Sequence, residues 1–99
     1  MYARVSMFEG SPDLIDEMLR QVQEQVVPQA KLIDGFKGII ALGDRQSGKT
    51  MGITFWENEE AMRASEDAAN RLRSESAEAS RQAESGVEWY EVGLFEVES

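Results

Sequence analysis

Histidine and cysteine are both absent from these 99 residues. Without cysteine there are no disulfides and no thiolate metal sites, and a reducing compartment is permitted. Without histidine the chain lacks the usual acid/base group near neutral pH and the commonest metal ligand. Basic residues are scarce, ten against nineteen acidic ones, for a net charge of -9. They are scattered singly and form no basic face, which argues against nucleic acid and anionic membranes as partners. No apolar run approaches the ~20 residues needed to span a bilayer. The opening MYARVSMFEG alternates apolar and polar residues where a signal peptide would carry a basic patch and an apolar run. The composition therefore points to a soluble, cytoplasmic protein folded as a single domain over residues 1–99. A chain of this size buries roughly two-thirds of its unfolded surface, so a second copy would add stability.

What is present reads as strand-helix-strand-strand-helix-strand. Tyr2 to Phe8 alternates as a first strand, ended by Gly10. Ser11 offers an N-cap oxygen, Pro12 suits the first helical position and Asp13 complements the helix dipole. Leu14, Ile15, Met18, Leu19, Val22 and Val26 then recur at helical spacing. Pro28 is expected to end or kink this helix near Val26 or Val27. Phe36 to Leu42 and Met51 to Trp56 read as strands joined by the turn residues of Gly43 to Gly48. Asn58 is a good N-cap, and the helix that follows presents a narrow stripe of Met62, Ser65, Ala69 and Leu72. Beyond Leu72 the composition turns to Ser, Glu, Arg and Ala, where a break or a second short helix is expected before Gly86, and Val87 to Val97 reads as the last strand.

This order implies an α+β fold, a ferredoxin-like βαββαβ domain with a four-stranded antiparallel sheet and both helices on one face. Such a sheet should be apolar on its covered face alone. The third strand breaks that rule, with Met51, Ile53 and Phe55 on one side and Thr54 and Trp56 on the other. In the last strand Trp89, Phe95 and Val97 share one parity, Tyr90, Val92 and Leu94 the opposite, unless a bulge at Gly93 reverses the alternation. A second apolar face calls for a partner, most simply the same sheet of a second subunit, giving a homodimer.

One motif is misleading. Gly43 to Thr50, GDRQSGKT, matches the phosphate-loop pattern in full. That chemistry requires the loop to open into a helix whose amides hold the phosphates. Here MGITFW follows, a strand, so no nucleotide site is assigned to Gly43–Thr50. The carboxylates Glu57, Glu59, Glu60, Glu66 and Asp67 read as a solvated helix face, and no metal site is assigned. Ser74, Ser76, Ser80 and Ser85 have no histidine to activate them, which disfavours acyl transfer.

The aromatics Phe36, Phe55, Trp56, Trp89 and Tyr90 fall on strands that should be neighbours. Helices faced with small residues, including Ala61, Ser65, Ala68 and Ala69, would leave room against them for a flat apolar ligand. The candidate ligand pocket is therefore Phe36, Trp56, Ser65, Ala69 and Tyr90.

IDGFKG at Ile33 to Gly38 resembles the I-x-G-F-x-G opening of the second strand in the antibiotic biosynthesis monooxygenase family. FWENEEA at Phe55 to Ala61 resembles that family's W-x-s-x-E-A step from third strand to second helix, at matching spacing. The resemblance implies a dimeric α+β barrel in which two ferredoxin-like sheets face one another. It further implies a cofactor-independent monooxygenase acting on a small aromatic phenol or quinol, with Trp56 at the pocket and Arg4, Ser6 or Tyr90 as its polar partner. Trp56 and Arg4 are the candidate catalytic residues, Arg4 for its ability to stabilise a phenolate. Haem-degrading members resemble an Asn, Trp and His triad that this chain cannot supply, since it has no histidine and its asparagines are Asn58 and Asn70. The pocket Asn of the phenol-oxidising members has no counterpart in Met51 to Thr54. The alternative reading is a non-catalytic dimeric module that binds small molecules on the same fold.

Overall fold

The period-two alternation of the four strand segments and the helical spacing between them build a single antiparallel sheet backed by helices. The structure, a computed structural model, describes residues 1–79 and 83–98. The elements are β1 (Tyr2–Glu9), α1 (Ile15–Gln21), α2 (Val27–Ala30), β2 (Phe36–Gly43), β3 (Lys49–Trp56), α3 (Glu59–Ala64), α4 (Glu66–Ala79) and β4 (Ala83–Glu91). The sheet order is β2-β3-β1-β4, the two central strands being the first and third along the chain. This is the ferredoxin-like arrangement, with each helical segment divided in two.

The first helical segment starts as the sequence indicates. Ser11 Oγ accepts from the Asp13 amide, and Pro12 opens a 3-10 turn over Pro12–Leu14. Pro28 does not end the helix. A π-helical turn over Val22–Val26 precedes it, with the Val27 amide donating to the Val22 carbonyl, and helix resumes to Ala30. The widened turn accommodates a residue that has no amide to donate and whose ring crowds the preceding turn. The chain then turns at Gly35, whose φ of 84° suits a residue without a side chain. A Cβ there would stand 2.5 Å from that of Ala61.

Gly43 to Thr50 forms the β2–β3 hairpin. Asp44 Oδ1 accepts from the amides of Gln46 and Ser47, the Asp44 amide donates to Lys49 O at 2.8 Å, and Gly48 closes the turn at φ 84°. Lys49 and Thr50 lie in β3. The stretch therefore runs strand to strand, with no helix for a phosphate to cap.

The second helical segment breaks at Ser65, earlier than the composition suggests, and α4 runs on past Leu72 to Ala79. Asn58 caps α3 as expected, its Oδ1 accepting from the Ala61 amide at 2.8 Å. The stripe of Met62, Ser65, Ala69 and Leu72 is buried throughout. β4 also differs from the reading of the sequence: it ends at Glu91, and residues 92–98 run on without strand structure. The irregularity in its pairing lies between Met7 and Phe8 of β1, where Ser85 is the extra residue, and not at Gly93.

Directly paired residues share a face. The register puts Tyr2, Arg4, Ser6 and Phe8 of β1 with Trp56, Thr54, Gly52 and Thr50 of β3. These face the helices, since Arg4 reaches the carbonyl of Met62 in α3. Val5, Met7, Met51, Ile53 and Phe55 occupy the other face, joined by Ile40 and Leu42 from β2. The tail crosses part of that face, the Phe95 ring standing 5.1 Å from Phe55. The two-sided apolar character of β3 is thus a property of the folded chain. Among the described residues no helix is long and apolar enough to cross a membrane.

Candidate active site

Between the helix-facing side of the sheet and the helices lies a cavity of about 70 Å³. Its sheet wall is Arg4, Ser6, Thr54 and Trp56, with Gly52 leaving space at the centre. Its helix wall is Val22 and Val26 of the π-helical turn, Ala30 of α2, and Ala69 and Leu72 of α4. The lining is apolar except for Arg4, Ser6 and Thr54, neighbours on the sheet wall.

Trp56 and Arg4 are each 1% exposed. The Trp56 indole donates to Thr54 Oγ1 at 2.9 Å, a bond made available because residues two apart on a strand share a face. Phe36 meets the Trp56 ring edge to face at 5.6 Å. That contact depends on a bulge between Phe36 and Gly38, which carries Phe36 to the helix-facing side alongside Ile39. Arg4 Cζ lies 5.3 Å from the centre of the Trp56 ring, within cation-π range.

Arg4 is anchored at the break between α3 and α4. Its Nη2 donates to Met62 O at 2.8 Å, to Ser65 Oγ at 3.2 Å and to Glu66 Oε2 at 2.8 Å. Ser65 Oγ in turn donates to the same Met62 carbonyl at 2.7 Å. The interruption of the helix is therefore filled by a buried guanidinium and a hydroxyl, which together occupy the orphan carbonyl of the α3 end. Placing a cation at a helix C-terminus also suits the dipole.

The candidate residues thus fall into three groups. Arg4, Ser6, Trp56 and Ala69 converge on the cavity. Phe36 and Ser65 support it from behind, through Trp56 and Arg4 respectively. Tyr90 does not join them: it pairs with Ala3 on the opposite face of the sheet and is half exposed. There its phenol is held above the usual value, first by its hydrogen bond to Glu88. Three participants escaped the sequence reading. Thr54 shares parity with Trp56 and could have been found on that ground. Glu66 reads as one acid among many, and nothing in sequence marks it as the partner of a residue 62 positions away. The Val22 and Val26 wall was expected only as core.

Other acids are engaged elsewhere. Glu59 is held below the usual carboxylate range, chiefly by its hydrogen bond from Arg63, and Asp16 by Arg45. Among the described residues no three carboxylates converge as a metal site would require. Of the serine cluster, Ser80 lies outside the described residues.

No protein-family model matches the chain. Two uncharacterised proteins of Mycobacterium tuberculosis are similar to it in sequence. One is 38% identical over 77 residues, covering 78% of this chain and 33% of its own length; the other is 35% identical over 78 residues, covering 79% and 35%. The chain spans about a third of the length of these curated relatives. Among solved structures, a candidate antibiotic biosynthesis monooxygenase from Deinococcus radiodurans superposes with a TM-score of 0.69 at 16% identity over 100% of both chains. The ActVA-Orf6 monooxygenase of Streptomyces coelicolor, in complex with nanaomycin D, gives 0.69 at 16% identity over 98% of this chain and 92% of that one. SnoaB, a cofactor-independent oxygenase of Streptomyces nogalater, gives 0.63 at 16% identity over 95% and 94%. The likeness implied by IDGFKG and FWENEEA is therefore met across the whole architecture, and the chain has the fold of the antibiotic biosynthesis monooxygenases.

Proposed function

We propose that the chain is a cofactor-independent monooxygenase for a small aromatic substrate of phenol or quinol type, acting as a cytoplasmic homodimer of single-domain subunits. The observation that carries this reading is the buried Arg4 and Trp56 pair on the sheet wall of a mainly apolar cavity. A flat ring would lie along the apolar walls with its oxygen toward Arg4, Ser6 and Thr54. An electron-rich ring, once ionised, can itself donate an electron to dioxygen, so the protein need only bind, orient and desolvate it. One oxygen atom then enters the ring carbon and the other leaves as water, both hydrogens coming from the substrate. Arg4 lines the cavity as a guanidinium paired with Glu66, so the ring enters neutral and gives up its proton only as it reacts.

Size bears on the substrate. The resting cavity is about half the roughly 150 Å³ that holds benzene in an engineered protein core. Admission of one ring therefore requires the helix wall to give. The π-helical turn is the part best placed to do so, because none of Val22–Val26 is fully buried.

Oxygen uptake with a panel of monocyclic quinols and phenols tests the proposal. Turnover above buffer that falls at least tenfold in Trp56→Phe is expected, on the order of a lost positioning contact. The alternative, a non-catalytic binding module, is favoured by one observation: among the described residues of the lining Arg4 is the only ionisable one, and none is a base. Saturable ligand binding with no oxygen uptake would select it.

A further inference from the structure

We infer that Glu66 is a specificity-determining residue of the cavity: by neutralising Arg4 it selects ligands that enter uncharged and rejects carboxylates. The inference rests on the pocket assigned above. Among the described residues Arg4 is the only ionisable one of the cavity lining, and alone it would make the polar part of the wall an anion site. It is not alone. Glu66 Oε2 lies 2.8 Å from Arg4 Nη2, and the pair presents a dipole to the cavity in place of a net positive charge. An anionic ligand would have to surrender its hydration to apolar walls with no net opposite charge to receive it, a cost that is large in a low-dielectric site.

The geometry also says why Glu66 and not another acid has this role. Arg4 is 1% exposed while the Glu66 side chain is 34% exposed, so the guanidinium is fixed and the carboxylate reaches it from the solvent side. Met62 O and Ser65 Oγ hold Arg4 in place from the same direction. Removing the charge of Glu66 while keeping its oxygen should therefore leave Arg4 where it is and expose its charge to the ligand. A phenol meets the requirement, being uncharged as it enters; a benzoate does not.

The test uses 4-nitrophenol, which ionises near neutral pH and whose two forms absorb at different wavelengths. Bound to the wild-type protein it should be neutral over a wider pH range than in buffer, its pKa raised by about one unit, a tenfold preference for the uncharged form. In Glu66→Gln the bound pKa should fall by about one unit from that value, and benzoate should gain affinity by about tenfold. A wild-type protein that binds the ionised form preferentially overturns the inference without any variant being needed. So does a folded Glu66→Gln protein whose bound pKa is unchanged. Failure of 4-nitrophenol to bind either protein at any pH would overturn the pocket assignment itself, and the inference with it.

Discussion

Arg4 of the first strand donates to the carbonyl of Met62, 58 positions later, and so ties the centre of the sheet to the end of α3. The same guanidinium packs over Trp56 and contacts Ser65 and Glu66. The anchoring of α3, and binding as proposed here, thus depend on one side chain. Arg4→Met fills much of the same space and loses every hydrogen bond, so the Met62 carbonyl keeps only Ser65 Oγ as a side-chain donor and Glu66 loses its bond from Arg4. A cost of about 1.5–3 kcal/mol follows, the contribution of a hydrogen bond to a charged group. Urea unfolding of the two proteins measures it, and a change under about 0.5 kcal/mol, the range of ordinary surface substitutions, would show that the anchor is unimportant.

Trp56 and Trp89 are the only tryptophans, and they differ sharply in exposure, 1% against 50%. Both point to the helix side of the sheet by register, but Trp89 lies on the edge strand β4. Trp89→Phe should leave a protein whose emission is blue-shifted and nearly immune to iodide quenching, whereas Trp56→Phe should leave a red-shifted, readily quenched one. Equal quenching of the two variants would contradict the burial of Trp56. The same Trp89→Phe protein would then report ligand entry through Trp56 alone.

How far the sequence reaches can be judged residue by residue. Asn58, Met62, Ser65, Ala69 and Leu72 were readable because capping and helical spacing are local signals. Met51, Ile53 and Phe55 against Thr54 and Trp56 were readable because strand alternation is local too. Pro28 was readable as a disturbance of the helix near Val26, but the form it takes, a π-helical turn with helix resuming to Ala30, has no sequence signature. The end of β4 misleads: residues 92–97 alternate plausibly, yet Phe95 is used to cover Phe55 from a segment that is not strand. Tyr90 stands on the face opposite Trp56 because the register of β4 on β1 pairs it with Ala3, and strand alternation alone does not say which parity faces the helices. The Arg4 and Glu66 pair is the extreme case, a contact made entirely by the fold.

Gly35 and Ala61 meet where the turn before β2 passes the first turn of α3. Gly35 is at φ 84°, and its amide neighbourhood is fixed by its carbonyl, which accepts from Glu57 N at 2.8 Å. Gly35→Ala incurs about 1–2 kcal/mol from the left-handed backbone alone, and more from the contact with the Ala61 methyl. Ala61→Gly in the same chain should return only the contact part, since the backbone term remains. Thermal or urea unfolding of the single and double variants separates the two. Full recovery in the double variant would mean that sterics alone, not backbone conformation, select glycine there.

Asp44 gives the hairpin a defined response to acid. Its carboxyl is held below the usual carboxylate range, first by the Gln46 amide and then by Ser47. A folded-state value below the unfolded one, about 3.9, means that its stabilisation is complete above that pH. It is lost as pH falls through the folded value. Asp44→Asn, which does not titrate, should be less stable than wild type at neutral pH and converge with it as pH drops below about 4. A stability difference between the two that stays constant from pH 7 to pH 3 would show that the turn does not bind the charged form.

The open face of the sheet leaves Ile40 37% exposed and Leu42 47% exposed, beside the half-covered Ile53 and Met51. A contiguous apolar surface of this kind is unusual on a chain that stays single. Pairing two such faces would cover it, as the homodimer proposed here requires. Wild-type protein at micromolar concentration should then sediment at twice the 11.1 kDa of one chain. Ile40→Lys and Leu42→Glu sit at exposed positions, where substitutions typically change fold stability by no more than about 0.5 kcal/mol. Placed on the paired face, each brings a charge into an apolar interface, so the double variant should sediment as a single chain with its circular dichroism unchanged. Wild-type protein at 11.1 kDa would remove the dimer, and the cavity, which is built within one chain, would have to act alone.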